Sequence, residues 1–408
     1  MKVDTGDTAW LLVSTAMVML MTPGLALFYG GMVRRKNVLG TIMQSFIALA
    51  IVSVQWVLFG YSLAFGPDIA HVIGSLKWVG LSGVGLEPNP DYASTVPHQA
   101  FMVFQMMFAV ITPALITGAF AERFKFSTYV LFVLLWSTLV YAPIAHWVWG
   151  IGGWIRNLGA LDFAGGLVVH ISSGASALAA AVVIGKRKGH GHELMSPHNM
   201  TMTLLGAAIL WFGWFGFNGG SAITSGALAT SAFVATHIAA AAAALSWVGV
   251  EWVLRGKPTA LGAASGCVAG LVAITPASGF VGPVSAMLIG LGAGYVCYLG
   301  VNIKTKLGYD DSLDAVGVHG VGGTFGALAT GLLASKLVNP NGANGLFFGN
   351  LSLLPIQALS IVAAASYSFA VTWIILKLLQ RTIGLRVSQE EESDGLDLSQ
   401  HGESGYTL

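Results

Sequence analysis

A chain of 408 residues with 55% hydrophobic and only 9% charged residues cannot clothe a soluble globule, because an ordinary soluble domain carries roughly 25% charged residues. The mean hydropathy of +0.74 leads to the same conclusion. The net charge of +1, with no basic patch, offers nothing to a nucleic acid.

The first apolar run is preceded by Lys2, Asp4 and Asp7, which do not make the basic start of a cleaved signal. It continues from Thr8 to about Val33, too long for a signal core, and reads as a retained transmembrane helix. About 20 apolar residues are needed to cross a bilayer. On that measure the predicted spans are 8–33, 39–64, 98–121, 126–149, 163–185, 200–219, 227–254, 260–277, 283–303, 312–335 and 354–380. Two junctions carry no charge, and there Asn218-Gly-Gly-Ser and Thr275-Pro-Ala-Ser-Gly are expected to be turns. The reading is an all-α polytopic membrane protein of eleven helices.

Positive charge tests that count. With the N-terminus outside and the C-terminus inside, fifteen of the nineteen lysines and arginines lie on the inner side, leaving Lys2, Lys77, Arg156 and Lys336 outside. That asymmetry follows the positive-inside rule. Gly262, Gly266 and Gly270 on one predicted helix, and Gly290 and Gly294 on the next, recur every fourth residue. Small residues at that spacing let helices pack closely in lipid. Cys267 and Cys297 lie in apolar segments and read as small buried hydrophobes.

An internal repeat is visible when His170 is aligned with His319. Asp162 then falls on Asp311, Val169 on Val318, and Gly174 on Gly323. Each histidine ends a set of five helices on its last member. Units with an odd number of helices face opposite ways, so the repeat is inverted, and inverted repeats place a transport site near the bilayer midplane.

Ionisable groups at membrane depth are costly and point to function. His146 lies near an outer helix end and His237 at mid-span, whereas His170 and His319 are buried at equivalent positions of the repeat. A zinc site needs three or four protein ligands, and neither histidine has a histidine, cysteine or carboxylate at i+3 or i+4. No metal and no cofactor are expected. A neutral imidazole pair could share one proton, or present a donor and an acceptor to a small polar solute. Asp162 and Asp311 stand eight residues upstream, about 12 Å along a helix axis, and read as N-terminal caps, with Asp314 near the same helix start.

Among the aromatic residues, Phe104 and Phe108 are four apart and share a helix face. Trp149 closes the fourth span, and Trp214-Phe-Gly-Phe217-Asn-Gly-Gly-Ser221 closes the sixth, both outside. Rings beside a serine oxygen suit a small cation, but spacing alone leaves the interfacial aromatic belt as an equal reading.

The runs PGLALFYGGMVRRKN, FAVITPALITGAFAERFKF, APIAHWVWG, GALDFAGGLVVH, GWFGFNGGS, GCVAGLVAITPASG, VGVHGVGG and GLRVSQEEESDGLDLSQHGESGY resemble those of the Amt/Mep/Rh ammonium transporter family, in its bacterial and archaeal Amt branch. The resemblance spans nearly the whole chain. It implies eleven helices in a five-plus-five inverted repeat, a homotrimer in the plasma membrane, and ammonium or ammonia (with methylammonium as analogue) as the transported species. It implies that Phe104, Trp149 and Ser221 form an outer recruitment site with Trp214 beside it. Phe108 and Phe217 match the phenyl gate, and His170 and His319 the twin histidines of the pore. Thr275 matches a pore-lining position, and Asp162 a supporting aspartate that does not ligate substrate. Residues 1–381 then form the membrane domain, with repeat halves 1–190 and 191–336 and the eleventh helix within 337–381. The segment 382–408 becomes a cytoplasmic regulatory tail that docks on the pore body and on a PII-type signal protein. Taken alone, that polar, acidic tail would be solvated.

The expected function is ammonium transport without enzymatic catalysis: recruitment outside, deprotonation, and passage of ammonia through the twin-histidine pore with net charge movement. Alternatives are a passive channel for ammonia or another neutral solute, and an ammonium sensor. An intramembrane metalloenzyme is opposed by the missing ligands.

Overall fold

Apolar runs that cross a membrane leave their backbone amides no partner but one another, and so they become helices. The computed structural model describes residues 2–406. Ten of its helices are long and apolar enough to cross: α1 Thr5–Met32, α2 Arg35–Phe65, α3 His98–Phe120, α4 Phe126–Asn157, α5 Gly166–Ile184, α6 Met200–Gly220, α7 Ala227–Arg255, α9 Pro283–Leu307, α10 Val316–Leu333 and α11 Leu353–Thr382. Between α7 and α9 lies α8, Ala260–Ile274, which is shorter. Its expected span, 260–277, is cut at Ile274. Residues 275–280 instead form a buried turn, so the stretch is a short helix followed by a turn.

The turn expected at Asn218-Gly-Gly-Ser begins later, because α6 remains helical through Gly220. These glycines serve close packing rather than chain reversal. A Cβ on Gly220 would lie 2.6 Å from Ser14 Cβ and 2.8 Å from Phe104 Cε2. The glycine stripes on α8 and α9 likewise face α7. Side chains added at Gly266 and Gly294 would run into Trp247 Cβ at 2.7 Å and Ser246 Cβ at 2.8 Å.

Residues 66–97, between α2 and α3, carry two small hairpins, Asp68–Ile69 with Ile73–Gly74 and Pro88–Asn89 with Ala93–Pro97. At the opposite face, the loops are tied by buried ion pairs. Glu122 accepts from Arg34 Nε at 2.9 Å and from Arg187 at 3.3 Å. Asp310 accepts from Arg187 Nε and Nη2, both at 2.9 Å. Arg123 is fully buried and donates to the Gly185, Ala119 and Asp310 carbonyls and to Ser312 Oγ. Burial alone would raise the Asp310 carboxyl, but the Arg187 hydrogen bonds and the Arg123 charge hold it well below the usual carboxylate range.

The tail is not a free solvated segment. Ser388 and Glu391 form a capping box that starts α12, Gln389–Asp394, and α13 follows over Leu396–His401. Glu392 binds the Lys188 amide at 2.7 Å and Arg386 at 2.6 Å. Asn37 accepts from the Leu396 amide, and Asp397 from that of Gly40. The tail therefore packs on the loops that carry the ion pairs.

Candidate functional site

Two helices with the same local construction meet at the centre. α5 opens with a π-helical segment, Gly166–Ile171, and α10 with another, Val316–Val321. A π-turn shifts the side-chain register and often marks a functional position. Both helix starts are held by an upstream aspartate, as their sequence positions suggest. Asp162 accepts from the amides of Gly165, Gly166, Leu167 and Val168. Asp311 accepts from those of Ala315 and Val316.

The glycines aligned by the repeat explain how these helices come together. A Cβ on Gly323 would sit 2.9 Å from His170 Cβ, and one on Gly174 would sit 3.0 Å from the His319 carbonyl carbon. Gly323 thus makes room for His170, and Gly174 for the backbone of Gly320, which a Cβ would meet at 2.3 Å. The result brings His170 Nδ1 within 3.2 Å of His319 Nδ1, with the rings 5.3 Å apart and nearly parallel. Of two facing Nδ1 atoms, one must donate and the other accept. In the neutral pair the donating ring then has a bare Nε2, and the accepting ring has an Nε2–H. Along the edges that point away from each other, one histidine is an acceptor and the other a donor. Nε2 of His170 is buried with no partner among the described residues.

A column of rings leads to this pair. Trp149 meets Phe108 edge-on at 5.9 Å, Phe108 lies 4.2 Å from Phe217, and Phe217 stacks on His170 at 6.2 Å. Trp214 also stacks on His170, at 5.5 Å. Beside the column is an enclosed cavity of about 20 Å³ lined by Trp214, Phe217, His170 and His319 and reaching Tyr29 and Asp314. That is space for about one water-sized molecule.

At the other end of the column, an open pocket is lined by Trp149, Phe108 and Ser221. Trp149 is anchored by donating to the Asp162 carbonyl at 2.9 Å, so the aspartate that caps α5 also fixes the outer tryptophan. Ser221 donates to the Phe217 carbonyl at 2.8 Å, which leaves its hydroxyl oxygen to act only as an acceptor.

Three expected residues take other positions. Phe104 touches Phe108 at 5.0 Å but is fully buried against Gly220, and Phe101 lines the pocket instead. Trp214 is buried next to His170 rather than at the outer pocket. Thr275 is fully buried, donates to the Leu271 carbonyl and accepts from Trp214 Nε1 at 2.9 Å. It orients the tryptophan rather than lining the cavity. Phe101, Gln105, Asp91 and Arg156 also line the open pocket and Tyr29 the enclosed cavity, positions for which no sequence motif marks a role. The spacing of Phe101, Gln105 and Phe108, one turn and then another, was the available signal. Among the described residues, no group of three or more His, Cys, Asp or Glu side chains is placed to hold a metal.

The sequence matches the model of the Ammonium Transporter Family over residues 9–406. It is 56% identical to an ammonium transporter of Bacillus subtilis over 402 residues, covering 98% of each chain. It is 52% identical over 402 residues to the ammonium transporter Amt1 of Archaeoglobus fulgidus, covering 98% of this chain and 99% of that protein. The crystal structure of Mep2 from Saccharomyces cerevisiae superposes with a TM-score of 0.89 at 38% identity, covering 95% of this chain and 88% of Mep2. This multi-pass membrane protein belongs to the ammonium transporter family.

Proposed function

We propose that the chain transports ammonium across the plasma membrane by recruiting the ion at the outer pocket, deprotonating it and passing ammonia along the histidine pair, with net movement of charge. The observation that carries this reading is the continuous ring column between a pocket with an acceptor-only serine and an imidazole pair with an unpaired ring nitrogen. Trp149 and Phe108 offer ring faces to a cation, and Ser221 offers an oxygen. An intact cation at the bilayer centre costs about 3 kcal/mol or more. Splitting ammonium into ammonia and a proton lowers that cost. Ammonia can donate to the bare Nε2 of one ring and accept from the Nε2–H of the other. The bare Nε2 can take the proton released by ammonium, that ring can pass its Nδ1 proton across the contact, and the second ring can then release its own Nε2 proton, after which the roles of both Nε2 atoms are reversed.

Phe108 and Phe217 act as the gate, Trp214 and Thr275 hold the upper histidine face, and Asp162 supports the outer site. Eleven crossings with the N-terminus outside accord with α8 and its buried turn serving together as one span, and with the charge asymmetry. The reciprocal fit of Gly174 and Gly323 supports the inverted repeat, with halves 1–190 and 191–336. A homotrimer would cover His237, exposed midway along α7 near the exposed Phe212 and Phe233. A bare histidine facing lipid at that depth is costly. The docked segment 382–406 offers a surface for a PII-type protein on the cytoplasmic side.

The test is current from reconstituted liposomes on a solid-supported membrane after ammonium pulses. Replacing both His170 and His319 by alanine is expected to abolish it. Undiminished, ammonium-selective current in the double variant defeats the mechanism. Ammonia flux without current in the unmodified chain selects a passive channel instead.

A further inference from the structure

We infer that Gln105 is a second hydrogen-bond acceptor of the outer pocket and sets its affinity for the ammonium ion, an assignment that rests on reading that pocket as the ammonium site. Gln105 lines the pocket with Phe101, Phe108, Trp149 and Ser221. Its side chain is buried, at 9% exposure, yet its carbonyl oxygen has no hydrogen-bond partner among the described residues. Buried polar groups are paired in the great majority of cases, and one left alone carries a penalty that a bound partner removes. As placed, the oxygen is shielded from the pocket, and turning the amide over, which its two nearly identical ends allow, presents it there.

The neighbouring polar groups do not supply that partner. Tyr92 is committed twice, donating to the Phe65 carbonyl and accepting from the Ile151 amide, both at 2.9 Å. Arg156 is drawn to the Trp149 carbonyl at 2.5 Å. Arg156 and Asp91 bring opposite charges to the pocket wall, so their sum gives no preference for a cation. Selectivity falls instead to neutral groups: ring faces, the Ser221 oxygen and the Gln105 oxygen. Ammonium has four N–H donors and no acceptor, so an additional oxygen pairs one more of them. A hydrogen bond to a charged partner corresponds to a roughly ten- to hundredfold change in affinity.

The experiment compares the full chain with Gln105→Met and Gln105→Glu in liposomes, reading the half-saturating ammonium concentration separately from the maximal current. Gln105→Met keeps the length but removes the strong acceptor, and is expected to raise half-saturation roughly tenfold or more with maximal current within about twofold. Gln105→Glu restores an acceptor oxygen and is expected to bring half-saturation to the parent value or below. Unchanged half-saturation in Gln105→Met overturns the assignment, since the amide is then satisfied by water alone. Equal loss of maximal current in both variants, with both melting like the parent, also overturns it and makes Gln105 a packing residue. Absence of any ammonium response in the unmodified chain removes the ammonium reading of the pocket, and this assignment with it.

Discussion

The ring column and the ion-paired face treat buried polarity in opposite ways. Around Glu122 and Asp310 every carboxylate oxygen meets an arginine or a backbone amide, and Arg123 is saturated by carbonyls and Ser312. In the column, His170 Nε2 and the Gln105 oxygen are left unpaired, and Ser221 can only accept. Removing a partner from the first region strands a charge. On the proposed mechanism, changing the second costs little stability but removes a group that a passing solute uses. Buried polarity that is fully paired holds loops together, and polarity left open in an apolar channel is available for transport.

The largest expected effect comes from Asp310→Asn, which leaves Arg123 without its carboxylate and Arg187 with Glu122 alone. Breaking a buried pair this way costs about 3–5 kcal/mol, read as a lower melting temperature in detergent. Because the Asp310 carboxyl is held below its usual range in the fold, its contribution is complete above the unfolded carboxyl value of about 3.9 and is lost as pH falls below it. The gap between parent and variant should stay constant from pH 8 to pH 5 and narrow only in stronger acid. A gap that closes near neutrality would break the comparison.

Gly323→Ala comes next. The added Cβ meets His170 Cβ at 2.9 Å and the Gly166 carbonyl at 3.2 Å, and overpacking of this kind costs about 1–3 kcal/mol. Since it parts the two rings, ammonium current should fall further than the shift in melting temperature accounts for. A proportionate loss of both would mean that the ring contact is not needed for transport.

The smallest effect is expected from Trp214→Phe, which removes the donor to Thr275 while keeping a ring beside His170. A single neutral hydrogen bond is worth about 1 kcal/mol. The melting temperature should drop slightly and the current remain, with a less than tenfold rise in half-saturation. Complete loss of current would move Trp214 from holding the histidine to acting on the solute.

Much of the architecture was legible because lipid imposes simple rules. Apolar runs had to be helices, so each of the ten crossing-length helices overlaps one predicted span, seven of them running past its ends. Asp162 and Asp311 stood where helices begin, and each accepts from the amides of its helix. The aligned pairs His170/His319 and Gly174/Gly323 carried the central contact, since glycine at 323 leaves room for His170 and glycine at 174 for the facing backbone at Gly320. The shared helix face placed Phe104 beside Phe108 but did not say which of the two turns toward the pocket. Gln105 went unread for the same reason, being one residue round the helix. The tail looked solvated because its partners, Asn37, Gly40 and Lys188, are distant in sequence.

Composition and periodicity by themselves determined that the chain crosses a membrane many times, where its helices run, and that two histidines occupy matching places in a repeat. These are local or additive properties, set by transfer of side chains into lipid and by backbone hydrogen bonding. The tertiary structure decided which rings face one another, that Phe101 and Gln105 rather than Phe104 reach the outer pocket, that Thr275 serves Trp214, and that the tail is docked. Those outcomes depend on packing between helices far apart in the chain, where one Cβ more or less at Gly174, Gly220 or Gly323 changes what fits.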